Sequence, residues 1–280
     1  RRGRCLRTVL LADNELGFKG LRMIVKGLEQ EGQLEALHYV DNKAGEMWHA
    51  GAGGGKMDTG SLVQSLAVLE SLGRCLKGSP CALRILNLSS NRIGPAGVSR
   101  IATGLAATKS LEVLDLSNNE LGVAGANHIA QALVTNRSLT TLNINNTQIR
   151  HPGLRSVCAG LAHNTALEVL HARDNVGASG PEALLKQLHA NTTLRFAYIL
   201  ESAPWKNPNY VSALPPPTVR HAGGGAGGGA EQGRYALVGQ MSSLWGGASA
   251  ESAGGEVSVG TLSPEASSEF DDEEGSLGEE

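Results

Sequence analysis

The 280-residue sequence carries 27 acidic and 24 basic residues, a net charge of −3, and only 4% aromatic residues. It holds no run of 18 or more apolar residues, so no membrane-spanning helix is expected. Its four cysteines, Cys5, Cys75, Cys81 and Cys158, show no paired C-x-x-C spacing, which argues against a zinc site or a disulfide framework.

Reduced thiols without a secretory signal point to the cytoplasm or nucleus, and we expect a cytoplasmic protein. The charge is uneven along the chain. Residues 251–280 contain ten Asp or Glu and no Lys or Arg, leaving +7 for the rest. A mildly basic body is thus followed by an acidic tail.

The chain opens on Arg1-Arg2-Gly3-Arg4-Cys5-Leu6, without an initiator Met, and is expected to be a fragment or an incomplete gene product. A first repeat covers Leu6–Gln33, with Leu6, Val9, Leu11, Asn14, Leu16 and Gly17 as its marks. A second begins at Leu34 with Leu37, Tyr39, Asn42 and Gly45, then carries 21 extra residues before Leu83. The insertion spans about 46–60, and a helix follows, legible from Leu62, Leu66, Leu69, Leu72 and Leu76. Within the insertion, Gly51-Ala52-Gly53-Gly54-Gly55-Lys56 superficially suggests a phosphate loop. It lacks the first glycine of that motif, and Met57 stands where Ser or Thr would hold magnesium. A surface insertion is expected.

Regular repeats then start at Leu83, Leu111, Leu139 and Leu167, each 28 residues after the last. A fixed period of this size means stacked structural repeats. The last of them is one residue short, at Asn175-Val176-Gly177. A final strand, Leu194–Ile199, ends the array, and Trp205 and Tyr210 are placed to cap its core. The domains expected are a repeat array over 1–203, a cap and Pro-rich linker over 204–220, and a disordered Gly/Ser-rich acidic tail over 221–280.

Within each unit, Leu111, Leu114 and Leu116 mark a short strand, while Gly125, Ile129, Ala130 and Leu133 recur at helical spacing. Neither half can bury its apolar face alone, so units must stack. Cys158 falls where two other repeats have Ala102 and Ala130, and reads as a small buried residue. Asn14, Asn42, Asn91, Asn119 and Asn175 fill one slot at the strand-to-helix turn, with Thr147 replacing Asn once. A side-chain amide carries both acceptor and donors and can satisfy buried backbone groups there. This predicts a structural Asn ladder, weakest at Thr147.

The pattern LxxLxLxxNxLGxxGxxxIAxxL resembles the ribonuclease-inhibitor-like class of leucine-rich repeats, also seen in NOD-like receptors, tropomodulin and Ran GTPase-activating proteins. The resemblance implies an α/β fold: a curved right-handed leucine-rich-repeat solenoid, with a parallel sheet on the concave face and helices on the convex face. It also implies binding to other proteins.

Strand alternation places Leu10, His38, Asn87, Asp115, Asn143, His171 and Tyr198 in one concave column. A second column runs through Asp13, Asp41, Ser90, Asn118, Asn146, Asp174 and Glu201, with Arg173 nearby. We read His38, Asn87, Asp115, Asn143, His171, Arg173, Asp174 and Tyr198 as the candidate partner-binding set. His38 and His171 lie four strands apart, roughly 20 Å, too far to cooperate in catalysis. No enzyme, cofactor or metal is expected, nor nucleic-acid or membrane binding, and the chain is expected to be monomeric. The acidic tail is also similar to that of Ran GTPase-activating proteins, so activation of a small GTPase is the alternative reading.

Overall fold

A computed structural model describes residues 6–45, 59–78, 81–175, 188–189, 191–199 and 205–206, the last pair by backbone alone. The chain divides into two units, Arg1–Pro217 and Thr218–Glu280, and every described residue belongs to the first. The Gly51–Lys56 run, Cys5, Glu201, Tyr210, Pro215–Pro217 and the acidic tail lie outside the described residues.

Strands and helices alternate along the chain. They are β1 (Thr8–Ala12), α1 (Gly17–Glu31), β2 (Ala36–Val40), α2 (Thr59–Lys77), β3 (Ile85–Asn87), α3 (Pro95–Leu105) and β4 (Val113–Asp115). There follow α4 (Gly122–Thr135), β5 (Thr141–Asn143), α5 (Arg150–Leu161), β6 (Val169–His171), β7 (Phe196–Tyr198) and β8 (Trp205–Lys206). The strands form one sheet in chain order, β1 to β7 parallel, so the fold is the solenoid that the repeat implies. Register is uniform: Leu86, Leu114, Leu142 and Leu170 are direct neighbours across β3 to β6.

The array was expected to end with the Leu194–Ile199 strand. The sheet instead continues one strand further, because β8 pairs antiparallel with the outer edge of β7. That pairing uses backbone groups that would otherwise stand open at a sheet edge.

The core is a stack of aliphatic layers. Leu83, Leu111, Leu139 and Leu167 are fully buried, as are Leu86, Leu114, Leu142 and Leu170. Each such side chain contributes roughly 1.5–3 kcal/mol of burial before conformational entropy is subtracted. Cys158 is wholly buried among them, and burial pushes its thiol up to about 12. On the helical side, α2 and α3 pack backbone to backbone, because Gly104 faces Gly73 across their crossing.

At the strand-to-helix turn, each Asn amide stitches its layer to the one before. The Asn119 Oδ1 accepts from the N–H groups of Asn91 (3.0 Å) and Ile93 (2.9 Å). Its Nδ2 donates to Leu88 O (2.9 Å), Leu116 O (2.9 Å) and Ser117 O (3.1 Å). Asn91 accepts likewise from the N–H groups of Asn42 and Ala44, and Asn42 from those of Asn14 and Leu16. Asn175 receives Thr147 N–H (3.0 Å) and Ile149 N–H (3.3 Å).

Thr147 has one hydroxyl, which donates toward Ile144 O (2.7 Å) and Asn175 Oδ1 (3.1 Å), both in its own layer or the next. It sends nothing back to the Asn119 layer. Thr147→Asn is therefore expected to raise the unfolding free energy by about 1 kcal/mol. A urea midpoint that stayed put or fell would show that this layer has no room for the amide.

A second series, on the opposite turn, was not read from the sequence. Asn136, Asn164 and Asn191 each donate Nδ2 to a carbonyl of the preceding layer: Leu105 O (2.7 Å), Leu133 O (2.7 Å) and Leu161 O (2.6 Å). Their Oδ1 atoms hold the turn into the next strand by accepting from the N–H groups of Leu139, Leu167 and Leu194. A row of interlayer ion pairs marks the strand entrances: Arg7 with Glu35, Arg84 with Glu112, and Arg195 with Glu168. The Arg84–Glu112 pair is two-pronged, at 3.1 and 2.8 Å.

Candidate functional site

The concave column is a real structural row. Leu10, His38, Asn87, Asp115, Asn143, His171 and Tyr198 are successive Cα partners across β1 to β7. They do not all present themselves to a partner. Asn87, Asp115 and Asn143 are only 5%, 1% and 3% exposed. Each bends its side chain onto its own turn: Asn87 Oδ1 accepts from Ser89 N–H, Asn143 Oδ1 from Asn145 N–H. Asp115 Oδ1 accepts from both Ser117 N–H (2.9 Å) and Ser117 Oγ (2.7 Å).

The expectation that Asn87, Asp115 and Asn143 present themselves directly to a partner is therefore corrected. Alternation assigns a face but not a depth. Strands about 4.8 Å apart let neighbouring side chains cover one another. His38 is buried too, and burial lowers its pKa.

The second column has a backbone explanation. Asp13, Asp41, Ser90, Asn118, Asn146 and Asp174 are exposed or partly exposed and all have φ between 47° and 58°. Asn and Asp tolerate this left-handed conformation better than most residues, which accounts for their recurrence here. Asp174 thus sits at the rim for a reason independent of any partner.

What remains is the carboxyl-terminal end of the face. Tyr198 on β7 stacks on His171 of β6, ring centroids 4.5 Å apart and planes within 5°. The Arg173 guanidinium lies over the same Tyr198 ring, 5.4 Å from its centre. Phe196 is 6.4 Å from Tyr198, with Arg195 over its ring at 5.5 Å. Arg173 N–H donates to Asn145 Oδ1 (2.7 Å), which fixes its backbone.

Among the described residues, unlike Arg84 and Arg195, Arg173 pairs with no carboxylate and its buried Nε finds no acceptor. His38 and His171 are separated by the three strands between β2 and β6, and so do not share one cleft. The described residues contain no group of three His, Cys, Asp or Glu able to hold a metal ion.

Burial, and secondarily the Arg173 charge, push His171 down to about 4, so its imidazole is neutral at pH 7. The unfolded chain takes up this proton near 6.5 and the fold only near 4. The stability that neutral His171 contributes is thus present above pH 6.5 and is lost as pH falls toward 4. Over that window the parent is expected to lose about 2 kcal/mol more than His171→Gln, by denaturant titration at each pH. Parallel pH profiles would show that His171 does not titrate in this way.

A leucine-rich repeat family model matches residues 80–102, 109–130 and 135–158. The chain carries leucine-rich repeats. The matched segments fall within the regular 28-residue register of Leu83, Leu111 and Leu139, after the insertion.

Among solved structures, this leucine-rich-repeat chain is similar to "Leiomodin-1 Actin-Binding Site 2 (ABS2)", at 20% identity and a TM-score of 0.41. That match covers 49% of this chain and 77% of the other. It is also similar to the tropomodulin C-terminal domain of Caenorhabditis elegans, at 12% identity and a TM-score of 0.45. There the coverage is 62% of this chain and 90% of that one. A search of curated proteins gives no match. No described helix is long and apolar enough to cross a membrane.

Proposed function

We propose that the chain is a non-catalytic scaffold that binds another protein on the concave face of its repeat array, at the β6–β7 end. Arg173, His171 and Tyr198 form the centre, with Asp174 at the rim and His38, Asn87, Asp115 and Asn143 supporting the row. The observation that carries this is the Arg173–Tyr198–His171 stack beside a guanidinium that no carboxylate of the described chain neutralises. Arginine and tyrosine dominate binding energy at protein interfaces. Here both are held in place before any partner arrives, which lowers the entropy lost on binding. A neutral His171 leaves Arg173 as the local cation, suited to a carboxylate on the partner. The regular 28-residue period supports the ribonuclease-inhibitor-like class, and the free thiols of Cys75, Cys81 and Cys158, buried or partly buried, accord with a cytoplasmic setting.

The test is affinity capture with the parent and with Arg173→Ala and Tyr198→Ala, using Met23→Ala on the exposed helical side as control. A protein held by the parent and the control but lost from both concave variants is the expected result. Retention of the same proteins by a folded Arg173→Ala/Tyr198→Ala double variant would move the site elsewhere.

A further inference from the structure

The charges of the array are divided between its two sides. Over residues 71–167 the only acids are Glu112, Asp115 and Glu120, and all three stand in the sheet or in the turns beside it. The helices α3, α4 and α5, and the turns that leave them at 106–110, 136–138 and 162–166, contain no Asp or Glu. They carry Arg100, Lys109, Arg137, Arg150 and Arg155, all exposed, together with His128, His151 and His163.

Packing makes these three helices one surface. A β-carbon at Gly160 would lie 2.5 Å from Ala130 O, so α4 and α5 run close to backbone contact, and one at Gly125 of α4 would lie 3.7 Å from Pro95 Cα of α3. At the edge of this surface Arg100 pairs with Glu70 of α2 (3.5 Å). Lys109, Arg137, Arg150 and Arg155 pair with no carboxylate among the described residues. Arg137 Nη1 donates to Val134 O and Asn136 O (2.8 Å each), which holds its guanidinium across the end of α4.

Arg150 carries a second, independent sign. It opens α5 with φ 55°, in the place where Gly17 (φ 61°) opens α1 and Gly122 (φ 58°) opens α4. An L side chain is sterically penalised in this left-handed region, and glycine is not. The Arg150 side chain is exposed and fills no part of the core, so glycine would suit the fold better. Strain kept at an exposed position implies a use outside the fold.

We propose that the α3–α5 side is a second docking surface, and that its occupant is an acidic segment of a partner polypeptide. Carboxylates of that segment meet Arg150 and Arg155 on α5, and Lys109 and Arg137 at the helix ends. A guanidinium grips a carboxylate through two parallel hydrogen bonds. The surface chemistry selects this class over other polyanions. The three helices carry no Phe, Tyr or Trp on which bases could stack. Val134 is the one large apolar side chain exposed on them, too little to enter a bilayer. Asn127 and Gln131 are exposed on α4 beside α5, and their amides can bond a peptide backbone. The inference is independent of the concave site, since His171 and Tyr198 belong to the sheet.

The probe is a labelled synthetic peptide of alternating Glu and Ala, titrated into the full chain at low salt by fluorescence anisotropy. The same peptide with Gln for Glu is the blank. Two double variants make the same change of charge: Arg150→Glu/Arg155→Glu on this surface, and Arg22→Glu/Lys26→Glu on α1, which also carries Glu29 and Glu31. A third variant, Arg150→Gly, removes charge and strain together.

Saturable binding is expected, weakened about tenfold or more by the α5 pair and less than about twofold by the α1 pair. Arg150→Gly should weaken binding while raising the thermal midpoint, a combination that a purely structural role would not give. No binding, equal weakening by both pairs, or an Arg150→Gly variant that binds like the parent overturns the proposal. So does tighter capture of an oligodeoxynucleotide, or of vesicles of equal phosphatidylcholine and phosphatidylserine, that the α5 pair abolishes. The surface would then serve nucleic acid or membrane.

Discussion

Asn119→Ala is expected to lower the unfolding free energy by about 3 kcal/mol or more, since several buried backbone groups lose their only side-chain partner. The residue is almost wholly buried and makes five hydrogen bonds to two layers. Alanine would leave the N–H groups of Asn91 and Ile93 facing a small void that offers no acceptor. The carbonyls of Leu88 and Leu116 would lose a donor at the same point. Asn119→Asp restores the acceptor but not the donors, so its loss should be intermediate between parent and alanine. Urea denaturation followed by circular dichroism reads all three. An alanine variant within experimental error of the parent would mean that the turn is held by its leucines alone.

Gly104→Ala is expected to destabilise the fold by about 2–4 kcal/mol, at the upper end of overpacking costs. A β-carbon at position 104 would lie 2.1 Å from Gly73 O and 2.8 Å from Gly73 Cα. The obstruction is backbone, so no rotamer change relieves it, and α2 and α3 must move apart. A β-carbon at Gly27, by contrast, meets nothing within 4 Å. Gly27→Ala should therefore be stabilising by about 0.5–1 kcal/mol, because alanine favours a helix interior. Opposite signs for two helical glycines, measured in the same denaturant series, would separate close packing from helix propensity. Equal effects would refute the crossing argument.

The period, the leucine layers and the alternation of strand and helix were all legible from spacing, because burial of one apolar face per half-repeat leaves a mark every 28 residues. The concave row was legible for the same reason, as His38 through Tyr198 occupy one register. Its depth was not. Asn87 and Asp115 look free in a linear pattern, yet Asx bonds to their own turns and crowding by adjacent strands withdraw them from solvent.

Asp174 reads as a recognition residue, yet it shares a positive φ with Asn118 of the same column, which is the simpler cause of its identity. Two features had a periodic signal that could have been read. Asn136, Asn164 and Asn191 recur at nearly the repeat spacing, and Arg84–Glu112 and Glu168–Arg195 share the position just after the first leucine. The Arg173–Tyr198–His171 stack had none, since it depends on how one pair of layers packs.

The turn amides also give the stack a direction. Asn42, Asn91, Asn119 and Asn175 accept N–H groups only from the layer before, so each layer that precedes one of them relies on its successor and owes nothing of this kind to its predecessor. Removing a layer at the amino end exposes an asparagine that water can satisfy. Removing one at the carboxyl end strands two inward-facing N–H groups in the layer left behind. Trimming the array is thus unequal at its two ends, and shortening from the carboxyl side costs the remaining fold more.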